Sequence, residues 1–341
     1  MEDKKVLFFG VGAIGGSIGA WVAEKYENAY FLDQGEIAAA VKEKGITAYL
    51  ENEKDKAASV KVKTVSSLAE CPDPDVVVLA VKTYSLEKVL KILKKSLKKE
   101  PIIVALQNGV ENQKILPKYF KKVVYGVISY NAWLDEPAVV GYQKKGPLII
   151  GTPDNSLREE TETVAGILNK GVETIVTDHL GDAAHSKLIV NLSNSLTTLI
   201  GLRYVENIDM KSFKKVLTSM MHEGIKAVKA AGYSECKLGG MPSWSITTLG
   251  WALPYALAKG IFTKNVAKMV LSSMAQDVLQ RKGHETELEI LNGYILSLGE
   301  KNGVKMPYNK AVYELCKTEF AKDDFKPLPA GEVLAAVKKY K

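Results

Sequence analysis

The apolar positions of this chain follow two different rules along its length. In the first half, short apolar runs of strand length alternate with helical periodicity; beyond Asp182 the helical period takes over. Val6-Leu-Phe-Phe9 reads as a buried parallel strand, Ala29-Tyr-Phe-Leu32 as a second, Val76 to Val81 as a central one and Ile102 to Leu106 as another. Helical patterns follow: through Trp21, Val22 and Ala23 after the first strand, over 36–44 after the second, and to about Lys98 after the third. Such alternation predicts a doubly wound, mostly parallel sheet. From Val123 to Gly151, turn signals at Asp135-Glu-Pro137 and Lys144-Lys-Gly146-Pro147 separate β-rich segments, expected to extend that sheet as meander strands. A helix from about Ser156 to Asn169 and a strand near Val172 to Val176 complete this half. Asp178, Gly181 and Asp182 then interrupt the apolar runs, which places a boundary between domains 1–177 and 178–341. The second half reads as helices over 182–199, 210–231, 243–259, 264–281, 286–303 and 307–320. A length of 341 residues suits two such domains.

Composition excludes several classes. An apolar share of 46% beside a charged share of 25% belongs to soluble globular proteins, and charge or glycine interrupts every apolar run before it could span a membrane. The opening MEDKKVLFFG enters a strand at once, so no secretory signal is expected. Cys71, Cys236 and Cys316 have no metal-type spacing, so the expectation is a cytoplasmic protein with neither metal site nor disulfide framework. The +7 net charge sits in lysine runs, Lys94-Lys95, Lys98-Lys99 and the tail Lys338-Lys339-Tyr340-Lys341. These runs lack interleaved aromatics and read as solvated helix faces, not as a nucleic-acid platform. They can still attract anionic substrates.

Between the first strand and its helix stands Gly10-Val-Gly12-Ala13-Ile14-Gly15, a G-x-G-x-x-G motif. Gly10 allows the tight turn, Gly12 lets a pyrophosphate approach the backbone, and Gly15 lets helix and sheet pack closely, with Ala13 and Ile14 opening the helix whose N-terminus faces the phosphates. Asp33 ends the second strand 18 residues after Gly15. There a carboxylate accepts from an adenosine ribose and repels a 2′-phosphate, although capping the following helix would also account for it. Lys82 and Asn108 end two further strands. In a doubly wound sheet all four features share the carboxyl edge, where ligands bind.

A second concentration of chemistry lies in DAAHSKLIVNLSNSLTT, residues 182–198. Leu188, Ile189, Leu192, Leu196 and Leu199 recur at helical spacing, which sets Lys187, Asn191 and Ser195 on one face with Asn194 beside them. A snorkelling lysine with loop-bonding amides is one reading; a proton donor with hydrogen-bonding partners is the other. His185 and His284 lack ligand spacing and read as structural or cleft-lining. The segment LGGMPSWSITTLGWALPYALAKG carries Trp244 and Trp251, expected as packing residues over a cleft or oligomer contact.

These pieces together resemble the ketopantoate reductase (2-dehydropantoate 2-reductase) family. GVGAIGGSIGA, AVKTYSLEKVL, ALQNGVE, SKLIVN, SSMAQD, TELEILNG and EKNGVKMPYNKAVYEL occur in the family's order and span nearly the whole chain. The resemblance implies an α/β Rossmann-type N-terminal domain and an all-α C-terminal domain of the 6-phosphogluconate-dehydrogenase-like kind, with the active site in the cleft between them and a homodimer. By resemblance, Lys187 is the general acid and Asn191 a substrate-binding amide. Asn108 is the amide near nicotinamide and substrate, Lys82 the cofactor-side lysine, Ser273 the substrate-carboxylate hydroxyl, and Glu287 the active-site glutamate. Three positions depart from the family. Leu32-Asp33-Gln34-Gly35 stands where an arginine usually holds the NADP 2′-phosphate, which favours NAD(H) over NADP(H). The family's second asparagine is replaced by Ser195, with Asn194 one residue early. The interval from Ser273 to Glu287 is longer than the family's. The expected reaction is hydride transfer from a nicotinamide to a small 2-oxo acid, 2-dehydropantoate in pantothenate and coenzyme A biosynthesis. A relative acting on another 2-oxo acid and a non-catalytic NAD(H)-binding module remain as alternatives.

Overall fold

The structure, a computed structural model, describes residues 4–238, 242–280 and 285–341. By contact the chain divides into two compact units, Met1–Gly181 and Asp182–Lys341. In the first unit the elements run β1 (Val6–Phe9), α1 (Ala13–Ala23), β2 (Ala29–Leu32), α2 (Gly35–Lys44), β3 (Ile46–Leu50), β4 (Ser59–Val60), β5 (Lys63–Thr64), β6 (Val76–Leu79) and α3 (Thr83–Ser96). There follow β7 (Ile102–Ala105), α4 (Asn112–Ile115), β8 (Val123–Ile128), β9 (Ala132–Glu136), β10 (Val139–Tyr142), β11 (Leu148–Gly151), α5 (Arg158–Leu168) and β12 (Thr174–Val176).

The main sheet has the order β12-β11-β8-β7-β6-β1-β2-β5. From β8 to β5 all neighbours are parallel, while β11 lies antiparallel to β8. The all-apolar runs VLFF and VVVL are buried at every position, because helices cover a parallel sheet on both faces. Beneath α1, Phe8 and Phe31 of adjacent strands stack at 5.0 Å. Chain order reverses direction at β1, whose neighbours are β2 on one side and β6 on the other. A crevice opens at such a switch point on the carboxyl edge of the sheet.

The meander expected for 123–151 is corrected. Only β8 and β11 join the main sheet; β9 and β10 join a second sheet of order β4-β3-β10-β9. There β10 pairs in parallel with β3, Val139 opposite Thr47, and antiparallel with β9. This small sheet covers the outer side of α1, where Trp21 meets Tyr142 edge-on at 4.8 Å. Turn signals and alternation identify strands but not partners, and the partner here is a distant segment that carries no strong strand signal of its own.

The second unit is helical: α6 (Leu180–Leu199), α7 (Met210–Ala230), α8 (Trp244–Ala252), α9 (Tyr255–Ala267), α10 (Ser273–Ala275), α11 (Tyr294–Lys301), α12 (Pro307–Glu319) and α13 (Ala330–Ala336). Its hub is α7, capped by Asp209, whose carboxylate accepts from the Lys211 and Ser212 N–H groups. Phe213, Val216, Met220 and Val228 on α7 are fully buried. Two helices expected from periodicity are cut. The 243–259 pattern breaks at Leu253-Pro254, since proline cannot donate the helical hydrogen bond. The 264–281 pattern stops at Ala267 and resumes at Ser273, where the Ser272 hydroxyl caps the new start by accepting from Ala275 N–H. Two π-helical turns, Gln276–Gln280 and Glu289–Gly293, continue α10 and precede α11. No described helix is long and apolar enough to cross a membrane.

Candidate active site

Four strand ends meet at the carboxyl edge of the main sheet, joined by backbone rungs. Leu106 N–H donates to Leu79 O, Ala80 N–H to Phe9 O, and Gly10 N–H to Leu32 O. On this ladder stand the loop after β1, Asp33 after β2, Lys82 after β6 and Asn108 after β7.

The three motif glycines are required for different reasons. Gly10 has φ of +96°, which disfavours any side chain. A Cβ on Gly15 would stand 1.9 Å from the Gly10 carbonyl oxygen, so only glycine lets the helix start this close to the loop. A Cβ on Gly12 would meet nothing within 4 Å. Packing within the chain does not explain Gly12; space left for a ligand at the α1 N-terminus does. Asp33 Oδ2 accepts from Val11 N–H and Oδ1 from Gln34 N–H. The carboxylate thus straps the loop, and its remaining lone pairs suit ribose hydroxyls. Lys82 is the half-buried N-cap residue of α3 and Asn108 is half-buried just past β7.

Gln107, to which sequence reasoning assigned no role, is 6% exposed and donates through Nε2 to Leu79 O at 2.8 Å and Val81 O at 3.2 Å. Its signal was present in the QNG triplet but carried no indication of direction.

In the second unit, α6 places Lys187 half-buried one turn before Asn191. Asn191 is 5% exposed, and its Nδ2 is buried without a hydrogen-bond partner. An orphan donor of this kind costs about 1–3 kcal/mol, so a ligand acceptor is a physical reason for keeping it. Asn194 lies half-buried on the same side, three residues on. Ser195 faces inward: it is wholly buried, donates to Leu192 O at 3.1 Å and accepts from Asn292 Nδ2 at 2.9 Å. The substrate contact expected of Ser195 therefore finds its hydroxyl already committed.

Two further contacts bring distant segments to α6. Thr198 Oγ1 meets Ser272 Oγ at 3.3 Å, and His185 Nε2 meets Tyr294 OH at 2.8 Å. Half-buried Ser273 follows Ser272 at the start of α10, and Glu287, 5% exposed, leads into the turn that carries Asn292. Both residues flank π-helical turns, a distortion frequent at functional sites. His185 itself is buried and stacks on Tyr233 at 3.6 Å; His284 lies outside the described residues. Trp244 is buried, and Trp251 stacks on His222 at 3.9 Å. Among the described residues, no group of three His, Cys, Asp or Glu could hold a metal ion.

Comparison with known proteins decides the family. The family described as "Ketopantoate reductase PanE/ApbA" matches residues 6–155, and its C-terminal counterpart matches residues 180–319. The chain belongs to the ketopantoate reductase family. It is accordingly an oxidoreductase. The 2-dehydropantoate 2-reductase of Archaeoglobus fulgidus is 28% identical over 250 residues, 72% of this chain and 76% of the relative. That of Vibrio cholerae is 25% identical over 72% of this chain and 77% of its own. Among solved structures, a PanE/ApbA family ketopantoate reductase from Ralstonia eutropha superposes with a TM-score of 0.73 at 24% identity, covering 93% of this chain and 99% of that one. A D-mandelate dehydrogenase, solved with NADH and anilino(oxo)acetate, gives 0.74 at 20% identity, covering 94% and 100%. The fold is thus shared by dehydrogenases named for different substrates.

Proposed function

We propose that this ketopantoate reductase family member reduces the ketone of a small 2-oxo acid, 2-dehydropantoate first among them, using a nicotinamide dinucleotide. The observation that carries the reading is on α6: a half-buried lysine one turn from a buried amide whose N–H has no partner. The family relatives named 2-dehydropantoate 2-reductase support the substrate class. When bound, the reduced nicotinamide supplies the hydride. The glycine loop and the α1 N-terminus hold the pyrophosphate, Asp33 the ribose, and Lys82 and Asn108 the nicotinamide side.

Negative charge grows on the carbonyl oxygen as the ketone carbon is reduced. The Lys187 ammonium stabilises that charge and gives the oxygen its proton, which leaves an alcohol and a neutral lysine to be recharged from water. Asn191, Asn194 and Asn108 orient the carbonyl and its neighbouring groups, Ser273 binds the substrate carboxylate, and Glu287 orients Lys187 or a substrate hydroxyl. Asp33 in place of a phosphate-binding arginine assigns the preference to NADH, and activity as a homodimer is part of the same reading. The test is oxidation of NADH and NADPH by the purified protein against a panel of 2-oxo acids. Reduction of 2-dehydropantoate above the others is the expected result, and tight NADH binding without turnover of any acid would replace the reading with a binding module.

A further inference from the structure

The parallel strands β6 and β7 part company at the edge where their loops carry Lys82 and Asn108. Leu79 is paired with Ala105, and Leu106 N–H makes the last backbone rung to Leu79 O. Beyond it β6 turns towards α3 through Ala80, Val81 and Lys82, while β7 continues through Gln107 into Asn108. The Gln107 side chain spans this gap. Its Nε2 donates to Leu79 O and to Val81 O, the second being the carbonyl of the peptide that joins Val81 to Lys82.

The direction of the amide follows from its neighbours. Both acceptors are carbonyl oxygens, so only the NH₂ end can face them. The other end, Oε1, is left buried and without a partner. A buried acceptor in that state is destabilising, and an apolar side chain of the same shape would exchange it for the loss of the Nε2 donor to Leu79 O and Val81 O, so the amide gains little stability. Stability alone therefore does not account for an amide here; holding the Val81–Lys82 peptide does.

We infer that Gln107 is a positioning residue for the reaction, a side-chain rung that sets Lys82 and Asn108 at a fixed separation on the nicotinamide side of the site. This rests on the functional reading above for the roles of Lys82 and Asn108. In this role Gln107 acts by fixing one peptide plane. The glycine loop and Asp33 are held by backbone rungs of their own, Ala80 to Phe9 and Gly10 to Leu32, and do not depend on it.

The test compares Gln107→Met, which removes both donors and the orphan oxygen, with Gln107→Glu, which keeps the shape but turns a carboxylate towards two carbonyl oxygens. Affinities for NADH and for ADP-ribose, which lacks the nicotinamide, are measured beside kcat, KM and Tm. In Gln107→Met, ADP-ribose should bind as in the wild type while NADH loses affinity. Turnover of 2-dehydropantoate should fall roughly tenfold or more, as misplacement by a fraction of an ångström allows, with Tm little changed, since loss of the Nε2 donor offsets removal of the orphan oxygen. Gln107→Glu should lose more of both. Wild-type turnover per folded molecule and an unchanged ratio of NADH to ADP-ribose affinity in Gln107→Met would overturn the inference. If the wild type reduces no 2-oxo acid, the functional reading fails instead, and the affinity ratio still decides whether Gln107 shapes the nicotinamide side.

Discussion

Asn292 donates its side-chain amide to the hydroxyl of Ser195 at 2.9 Å, and both residues are wholly buried. This bond pins the π-helical turn Glu289–Gly293 to α6, the helix that bears Lys187 and Asn191. With Thr198 to Ser272 and His185 to Tyr294, it makes α6 the element against which Ser273 and Glu287 are placed. The ordering of these α6-side residues thus depends on buried polar contacts behind them, and preorganisation of this kind is what the proposed charge stabilisation needs to act without rearrangement.

If Lys187 acts, as proposed, on charge that develops only in the transition state, Lys187→Ala should lower turnover by ~10²–10⁴-fold with dinucleotide affinity nearly unchanged. Asn191→Ala should mainly raise KM for the oxo acid. Steady-state kinetics with fluorescence titration of NADH separates the two. A lowered Tm with turnover per folded molecule near wild type would make Lys187 a structural lysine.

The motif glycines should divide by mechanism. Gly15→Ala forces its Cβ against the Gly10 carbonyl and should cost on the order of 1–3 kcal/mol of stability. Gly12→Ala has open space and should keep the wild-type Tm while losing affinity for NADH. Paired urea denaturation and titration measure both.

Cofactor choice should follow Asp33. NADH is expected to give the higher kcat/KM, because a carboxylate beside the ribose repels a 2′-phosphate. Asp33→Ala should narrow the gap, although it also removes the strap to Val11 N–H and so weakens both cofactors. Equal or better efficiency of the wild type with NADPH would remove the assignment.

Glu223 is buried on α7 and its carboxylate takes three hydrogen bonds at the start of α12, from Tyr308 N–H, Asn309 N–H and Asn309 Nδ2. Burial pushes its pKa up, and these donors oppose the rise. Glu223→Ala strands the two backbone donors, while Asn309 Nδ2 keeps Met220 O as acceptor, and should destabilise by about 3 kcal/mol in urea unfolding, the scale of a lost charge-assisted bond plus a stranded donor. Glu223→Gln should lose less.

His222 provides a pH signature. Burial first, then Lys226, holds its imidazole below the ordinary histidine range. Near the ordinary value the unfolded chain therefore binds a proton that the folded chain does not. The contribution is present above that value and is lost as pH falls through the folded pKa. Between about pH 7.5 and 5.5 the wild type should lose more Tm than His222→Phe, which keeps a ring against Trp251 without titrating. Parallel losses would show that His222 does not contribute to the acid sensitivity.

Local chemistry was enough to read much of this protein from its residues alone. The glycine loop, the polar strand ends and the amide-bearing face of α6 follow from spacings of a few residues, because turn geometry and the helical period act over that range. What lay beyond it was set by partners distant in the chain. The alternation in 132–142 marked strands, but whether they extended the main sheet depended on β3, which offered its edge and so founded a second sheet over α1. Helical periodicity ran through Pro254 and through 268–272 on paper, while the folded backbone stopped at both. Ser195 shares a face with Lys187 by spacing, yet a buried amide on a segment nearly a hundred residues later drew its hydroxyl inward. Gln107 stood beside Asn108 in plain view; which carbonyls its amide would reach was decided only when β6 was laid against β7, since a sequence specifies a donor and the tertiary fold its acceptor.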